Sequence, residues 1–143
     1  MENVLDKSTL RNLSALVDFG NLINSSLDAK FILNNLILTC FGKFHTTKGL
    51  FATINNRNLQ FFISKGLDGK LKDEFPTVSS DEYLSSSNLR DYLKQNRLVH
   101  SQEVYSTNKL IGVLFLGERL SGEKYSDDDI KFLQTFLILP QQP

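Results

Sequence analysis

Residues 109–133 read KLIGVLFLGERLSGEKYSDDDIKFL, and they spell strand, turn, helix. Leu110, Ile111, Val113, Leu114, Phe115 and Leu116 form an apolar, β-prone run with Gly112 inside it. Gly117 and Gly122 punctuate the segment that follows. Ser126 is placed to cap a helix whose first turn carries Asp127, Asp128 and Asp129. Carboxylates there complement the helix dipole, and Asp129, three residues after the cap, sits in a capping-box position.

Composition narrows what surrounds this segment. A chain of 143 residues predicts one domain, 1–143, with a single substantial core. Sixteen basic and sixteen acidic residues cancel. Charges are interspersed along the chain, which argues against nucleic acid or an anionic membrane as a partner. Cys40 is the only cysteine, so one chain can form neither an internal disulfide nor a thiolate metal cluster. That usage suits a reducing compartment. The opening MENVLDKSTLRNLSA is polar and lacks the apolar stretch of a secretory signal. No apolar run reaches the ~20 residues of a membrane span. The expected location is cytoplasmic.

Upstream, apolar residues recur at helical spacing over Ser8 to Ser25, with Leu13, Leu16, Phe19 and Ile23 flanked by Leu10, Val17 and Leu22. A second helix is predicted from Ala29 to Phe44. Its stripe of Leu33, Ile37, Cys40, Phe41 and Phe44, flanked by Ile32 and Leu36, makes it apolar around most of its girth and so largely buried. The period then changes to two. Gly49 to Ile54 and Leu59 to Ser64 read as strands joined by Asn55, Asn56, Arg57 and Asn58, a hairpin signal because asparagine tolerates left-handed backbone. Leu50, Ala52 and Ile54 share one face, and Phe51 and Thr53 the other. Leu59, Phe61 and Ile63 alternate with Gln60, Phe62 and Ser64, so both faces of the sheet should be covered. Lys65 to Ser87 reads as a long excursion with one short helix near Asp81 to Leu84. Ser87 or Asn88 caps a helix through Gln95, Leu98 to Tyr105 is a strand, and Ser106 to Asn108 a turn.

The motif GVLFLG at 112–117 followed by YSDDD at 125–129 resembles the end of a GAF domain, where a GxLxLG strand leads to a YSxED entry into the last helix. The stretch LVDFGNLINSSLDAKFILNNLI, from Leu16, is similar to the entry helices of that family. The resemblance spans Leu10 to Leu137. It implies an α+β fold, GAF-like (profilin-like), with an antiparallel sheet of about five or six strands and helices on both faces. The early helices and the last helix would pack on one face, and a ligand pocket roofed by Lys65 to Gln95 would lie on the other. Two departures stand out. A further family strand, often ending in a vPL segment before the final strand, has only Leu98 to Tyr105 to draw on. The last helix meets Pro140 where family members continue into a long exit helix, so a domain truncated at that helix is expected.

Catalysis is not expected. Cys40 lies on an apolar stripe, where a packing role is the simplest reading. His45 and His100 lack ligand-spaced neighbours, and no metal is expected. The Asp73-Glu74 pair lacks the upstream asparagine-lysine-phenylalanine spacing of cyclic-nucleotide-binding GAF domains, and Lys65-Gly66 is too short for a phosphate loop. A candidate ligand pocket draws its apolar lining from Phe51, Phe62, Tyr83, Tyr92 and Phe115 and its polar groups from Thr53, Ser64 and Lys65; plain core packing is the competing role for these aromatics. The cofactor is unknown from the sequence.

The function that follows from the resemblance is a regulatory or sensory domain of a signal-transduction protein. It would bind a small molecule or a partner and signal through helix packing in a homodimer. The alternative is a ligand-free module that only dimerises, through Leu10, Val17 and their neighbours. An enzyme on the same fold is the least expected outcome.

Overall fold

The structure, a computed structural model, describes residues 27–68, 71–106, 108–136 and 138–139. The helix expected over Ser8 to Ser25 lies outside the described residues. Helix α1 (Leu27–Phe44) leads into the hairpin of β1 (Gly49–Asn55) and β2 (Asn58–Lys65). The excursion that follows holds a one-turn helix α2 (Leu71–Glu74), strand β3 (Val78–Ser79), a 3-10 turn (Tyr83–Ser85) and helix α3 (Ser87–Gln95). Strands β4 (Leu98–Ser106) and β5 (Lys109–Gly117), helix α4 (Asp127–Phe136) and strand β6 (Ile138–Leu139) complete the chain.

The sheet order is β3-β2-β1-β5-β4-β6. Strands β1 to β5 pair antiparallel throughout, and β6 joins parallel to the end of β4 at Tyr105 and Ser106. Two local hairpins, β1/β2 and β4/β5, are thus joined side by side through β1 and β5. Leu98 to Ser106 serves as one strand, not two, because it pairs directly with β5 along its length. The last helix is described to Phe136, and Ile138 and Leu139, expected within it, lie in strand β6.

Local chemistry accounts for the element boundaries. Ser126 Oγ accepts the Asp129 N–H at 3.1 Å, and Asp129 Oδ2 accepts the Ser126 N–H at 2.9 Å, closing the capping box of α4. Ser86, one residue before the expected cap, accepts the Leu89 N–H at the start of α3. Asn56 and Arg57 alone form the β1/β2 turn, with φ of 51° and 66°, the pattern of a type I′ hairpin.

Two cores sandwich the sheet. On the helix side, Leu33, Leu36, Ile37, Cys40 and Phe44 of α1 pack with Leu133 of α4 against Phe51, Val104, Ile111, Leu114 and Leu116. Phe44 meets Tyr125 and Phe132 in tilted and edge contacts. On the other side, the excursion covers Leu50, Ala52, Leu59, Val113 and Phe115. Helix α1 is less enclosed than its composition predicts. Its stripe is buried as expected, but Phe31 and Leu38 remain 66% and 44% exposed, because the sheet covers only one flank. The strand alternation also breaks once. A bulge opposite Phe51 and Ala52 makes Phe62 the extra residue, so Phe62 and Ile63 both pack on the helix side while Leu59 and Phe61 stay on the other.

Candidate functional site

The excursion from Leu71 to Gln95 forms a roof over one sheet face. Beneath it, Leu50 and Ala52 of β1, Leu59 of β2 and Val113 and Phe115 of β5 present a continuous apolar floor. Leu71, Val78, Tyr83, Leu89 and Tyr92 descend onto that floor, each nearly out of reach of solvent. Phenol groups pin the roof. Tyr92 donates its hydroxyl to the carbonyl of Leu71 at 2.9 Å, tying α3 to α2. Tyr83 donates to Glu103 Oε2 at 2.5 Å and Tyr105 donates to Oε1 of the same carboxylate at 2.7 Å, tying the 3-10 turn to β4. Burial, reinforced by the Glu103 carboxylate, holds the Tyr83 phenol well above the ordinary tyrosine range. Burial does the same for Tyr92, with Glu74 adding to it.

A groove of about 400 Å³ opens at the edge of the roof, between the hairpin end and α2. Asn55, Asn58 and Gln60 of the hairpin face Lys72, Asp73 and Phe75 across it, over the floor residues Leu59 and Phe61. Phe75 meets Phe61 and Tyr92 edge-on, with centroids 6.4 and 5.2 Å away. Amides, one ammonium and one carboxylate around aromatic edges can orient a small polar ligand.

The eight residues singled out from the sequence do not converge on one pocket. Tyr83, Tyr92 and Phe115 come together as the core under the roof. Phe51 and Phe62 pack on the opposite face, edge to face at 6.4 Å, with Lys30 Nζ 5.8 Å over the Phe62 ring. Thr53 is buried, its hydroxyl donating to the Ile111 carbonyl at 3.4 Å. Ser64 and Lys65 are half-buried at the end of β2, opposite Leu50 and Gly49. The reason is strand parity: Phe51 and Thr53 point away from the face that the roof covers, and the bulge sends Phe62 with them. Of the groove residues, Asn55 and Asn58 were read from the sequence only as hairpin connection and Asp73 only as part of a pair lacking a nucleotide motif, while Gln60, Lys72 and Phe75 were not singled out for binding. Only their proximity to the hairpin turn and to Pro76 could have drawn notice.

Cys40 is buried in the helix-side core, and burial pushes its thiol up to about 12, so it is not a thiolate at neutral pH. Among the described residues no group of three His, Cys, Asp or Glu side chains could hold a metal ion. None of the described helices is long and apolar enough to cross a membrane.

No family model matches the sequence, and no curated protein matches it. Solved structures do. The chain is similar to the GAF domain/HD domain protein from Geobacter sulfurreducens at 14% identity, covering 92% of this chain and 91% of that one with a TM-score of 0.56. It is similar to a domain assigned to a two-component sensor histidine kinase protein from Sinorhizobium meliloti 1021 at 12% identity, with coverage of 76% and 84% and a TM-score of 0.58. It is also similar to the GAF domain from Acinetobacter phosphoenolpyruvate-protein phosphotransferase at 18% identity, with coverage of 96% and 90% and a TM-score of 0.52. The chain has the GAF fold, an α+β sandwich of helices on both faces of an antiparallel sheet.

Proposed function

We propose that this chain is a regulatory, sensory domain of a signal-transduction protein, cytoplasmic and without catalytic activity of its own. The GAF fold, shared with a domain assigned to a sensor histidine kinase, is the observation that supports it. Fold likeness alone does not name a ligand. In this reading the ligand is a small polar molecule held at the roof groove by Asn58, Gln60, Lys72 and Asp73, with Phe75 as its apolar wall. Binding there would bear on α2 and α3 together, since the Tyr92 to Leu71 hydrogen bond joins them. The response would travel as a shift between two packings of the roof, by as much as the ligand prefers one of them.

A second reading has its own support. Leu71, Tyr83, Leu89, Tyr92 and Phe115 already fill the space between roof and sheet, as in a domain kept for its fold and for self-association. In both readings the partner is a second copy of the chain, and neither nucleic acid nor membrane is a partner.

Native mass spectrometry of the untreated protein, with a thermal-shift screen against nucleotides, cyclic nucleotides, amino acids, 2-oxo acids and haem, separates the two. A bound species, or a shift that grows with concentration as mass action requires and is abolished by Thr77→Trp, a substitution at a residue that also lines the groove, supports the sensor. A shift unchanged by that substitution moves the ligand elsewhere. Neither a species nor a shift leaves the self-associating module.

A further inference from the structure

Among the described residues, the outer edge of β4 has no partner strand over most of its length: only the two-residue β6 pairs on that side, at Tyr105 and Ser106. Just before it lies a regular stretch, His100 to Val104, bounded by register shifts at Leu98/His100 and Val104/Tyr105. Ser101 in this stretch is exposed. A cavity of about 520 Å³ runs along the edge, with Tyr83 and Leu84 of the roof on one flank and Ile130 and Gln134 of α4 on the other. A second, of about 500 Å³, continues it past His100 and Ile130 to Val99, Leu120 and Tyr125. Leu84, Val99 and Leu120, which line this trough, are 73%, 57% and 73% exposed. A strand edge without a partner strand is a template for a further strand.

We propose that the His100–Val104 edge of β4 pairs antiparallel with the same edge of a second copy, joining two sheets into one across a two-fold axis at Gln102. This rests on the reading that the domain self-associates, and it places the contact on the sheet edge instead of the N-terminal amphipathic segment. The stretch is its own complement about Gln102. His100 falls opposite the partner's Val104, Ser101 opposite the partner's Glu103, and Gln102 opposite the partner's Gln102. Each pair lies on one face, because no register shift intervenes between His100 and Val104. Serine hydroxyls then meet carboxylates and primary amides meet each other, so every polar pair can hydrogen-bond and no like charges oppose. Moving the centre to Glu103 would stack two carboxylates. Moving it to Ser101 would run Val99, at the bulge, into the pairing. β6 stops the partner strand beyond Val104. The exposed Leu84 and the half-buried Ile130 flank the seam and supply apolar contact on both faces.

The test uses the full chain. Opposed residues of an antiparallel pair lie about 4.5–5.5 Å apart at Cα, inside the roughly 4.4–6.8 Å that a disulfide spans. Gln102→Cys should therefore cross-link into a dimer on mild oxidation, and Cys40, being buried, should not contribute. Gln102→Lys and Gln102→Glu should each weaken dimerisation about tenfold or more in sedimentation experiments, and an equimolar mixture of the two should restore it. Circular dichroism of each variant checks that this half-buried position leaves the fold intact. A dimer that cross-links through Val17→Cys and not through Gln102→Cys overturns the edge contact while sparing self-association. A monomer at every accessible concentration overturns both. A monomer that takes up an extended peptide on the edge overturns the second copy as its occupant.

Discussion

Arg119 Nη1 donates to Asp129 Oδ2 at 3.0 Å, and through this pair one guanidinium joins the ends of two helices. Its Nε donates to the carbonyl of Phe44, the last residue of α1, at 3.1 Å, while Asp129 belongs to the capping box of α4. The cation thus sits at the negative end of one helix dipole, and the carboxylate at the positive end of the other. The Ser126 N–H first, with the Ser126 hydroxyl and Arg119 assisting, holds the Asp129 carboxyl below the usual range.

Replacing Arg119 by Met should cost about 1.5 kcal/mol, the low end for hydrogen bonds to charged groups because the pair is partly solvated. Arg119→Lys should recover only part of it, since an ammonium lacks the fork that reaches both oxygens. Urea denaturation checks both, read as a lower midpoint at unchanged slope.

Gly112 sits where β5 crosses Phe51. A Cβ added there would lie 2.3 Å from Phe51 Cζ and 2.6 Å from the Ala52 carbonyl oxygen. Gly112→Ala should destabilise by about 1–3 kcal/mol through overpacking. Adding Phe51→Leu removes the ring contact and leaves the backbone contact, so a double-mutant cycle should show partial rescue. Full additivity would mean that the ring is not the obstacle.

Arg57 holds φ at 66° in the two-residue turn between β1 and β2. Left-handed backbone costs a side-chain-bearing residue roughly 1–2 kcal/mol, and Asn-Gly suits a type I′ turn. Arg57→Gly should accordingly stabilise the domain, by about 0.5–1 kcal/mol once the freer unfolded chain is counted. A thermal melt that shifts downward would contradict the turn assignment.

His100 stacks on Tyr125 at 5.1 Å, and burial lowers its pKa from 6.5 despite the opposing contact with Gln102. A folded-state pKa below the unfolded value means that the unfolded chain takes up the proton first. Stability from this site is complete above pH 6.5 and declines as pH falls toward the lowered value. Thermal midpoints between pH 7.5 and 5 should show this slope, and His100→Gln should flatten it. Asp129 acts in the same direction but further into acid, since its lowered carboxyl must be protonated in the folded state.

Much of the fold was legible in the chain. Ser126 and Asp129 announced the cap of α4, the asparagines the hairpin, and the apolar stripe of α1 its buried side, because each rests on contacts within a few residues. What escaped was set at longer range. Strand alternation put Phe51 opposite Leu50, but nothing local said which face the roof would cover, so Phe51, Thr53 and Phe62 were joined to Tyr83 and Tyr92 across a sheet that divides them. The bulge at Phe62 depends on the pairing of β2 with β1, which no strand reveals alone. Strands β3 and β6, two residues each, exist only because longer neighbours offer them an edge.

The order β3-β2-β1-β5-β4 also dictates how the molecule assembles. Each hairpin closes from contacts near in sequence, on a timescale of about 1–10 μs. The seam between β1 and β5 must wait for the whole roof segment to loop back, and that seam holds Ala52, Val113 and Leu114, none of them accessible to solvent. A long-range pairing and a fully buried part of the sheet therefore fall at the same place. Loop closure grows only as the logarithm of length, about 0.6 kcal/mol per doubling. The exposed stretches of the roof can accordingly lengthen or shorten at small cost in stability, so long as Leu71, Tyr83, Leu89 and Tyr92 still reach the sheet.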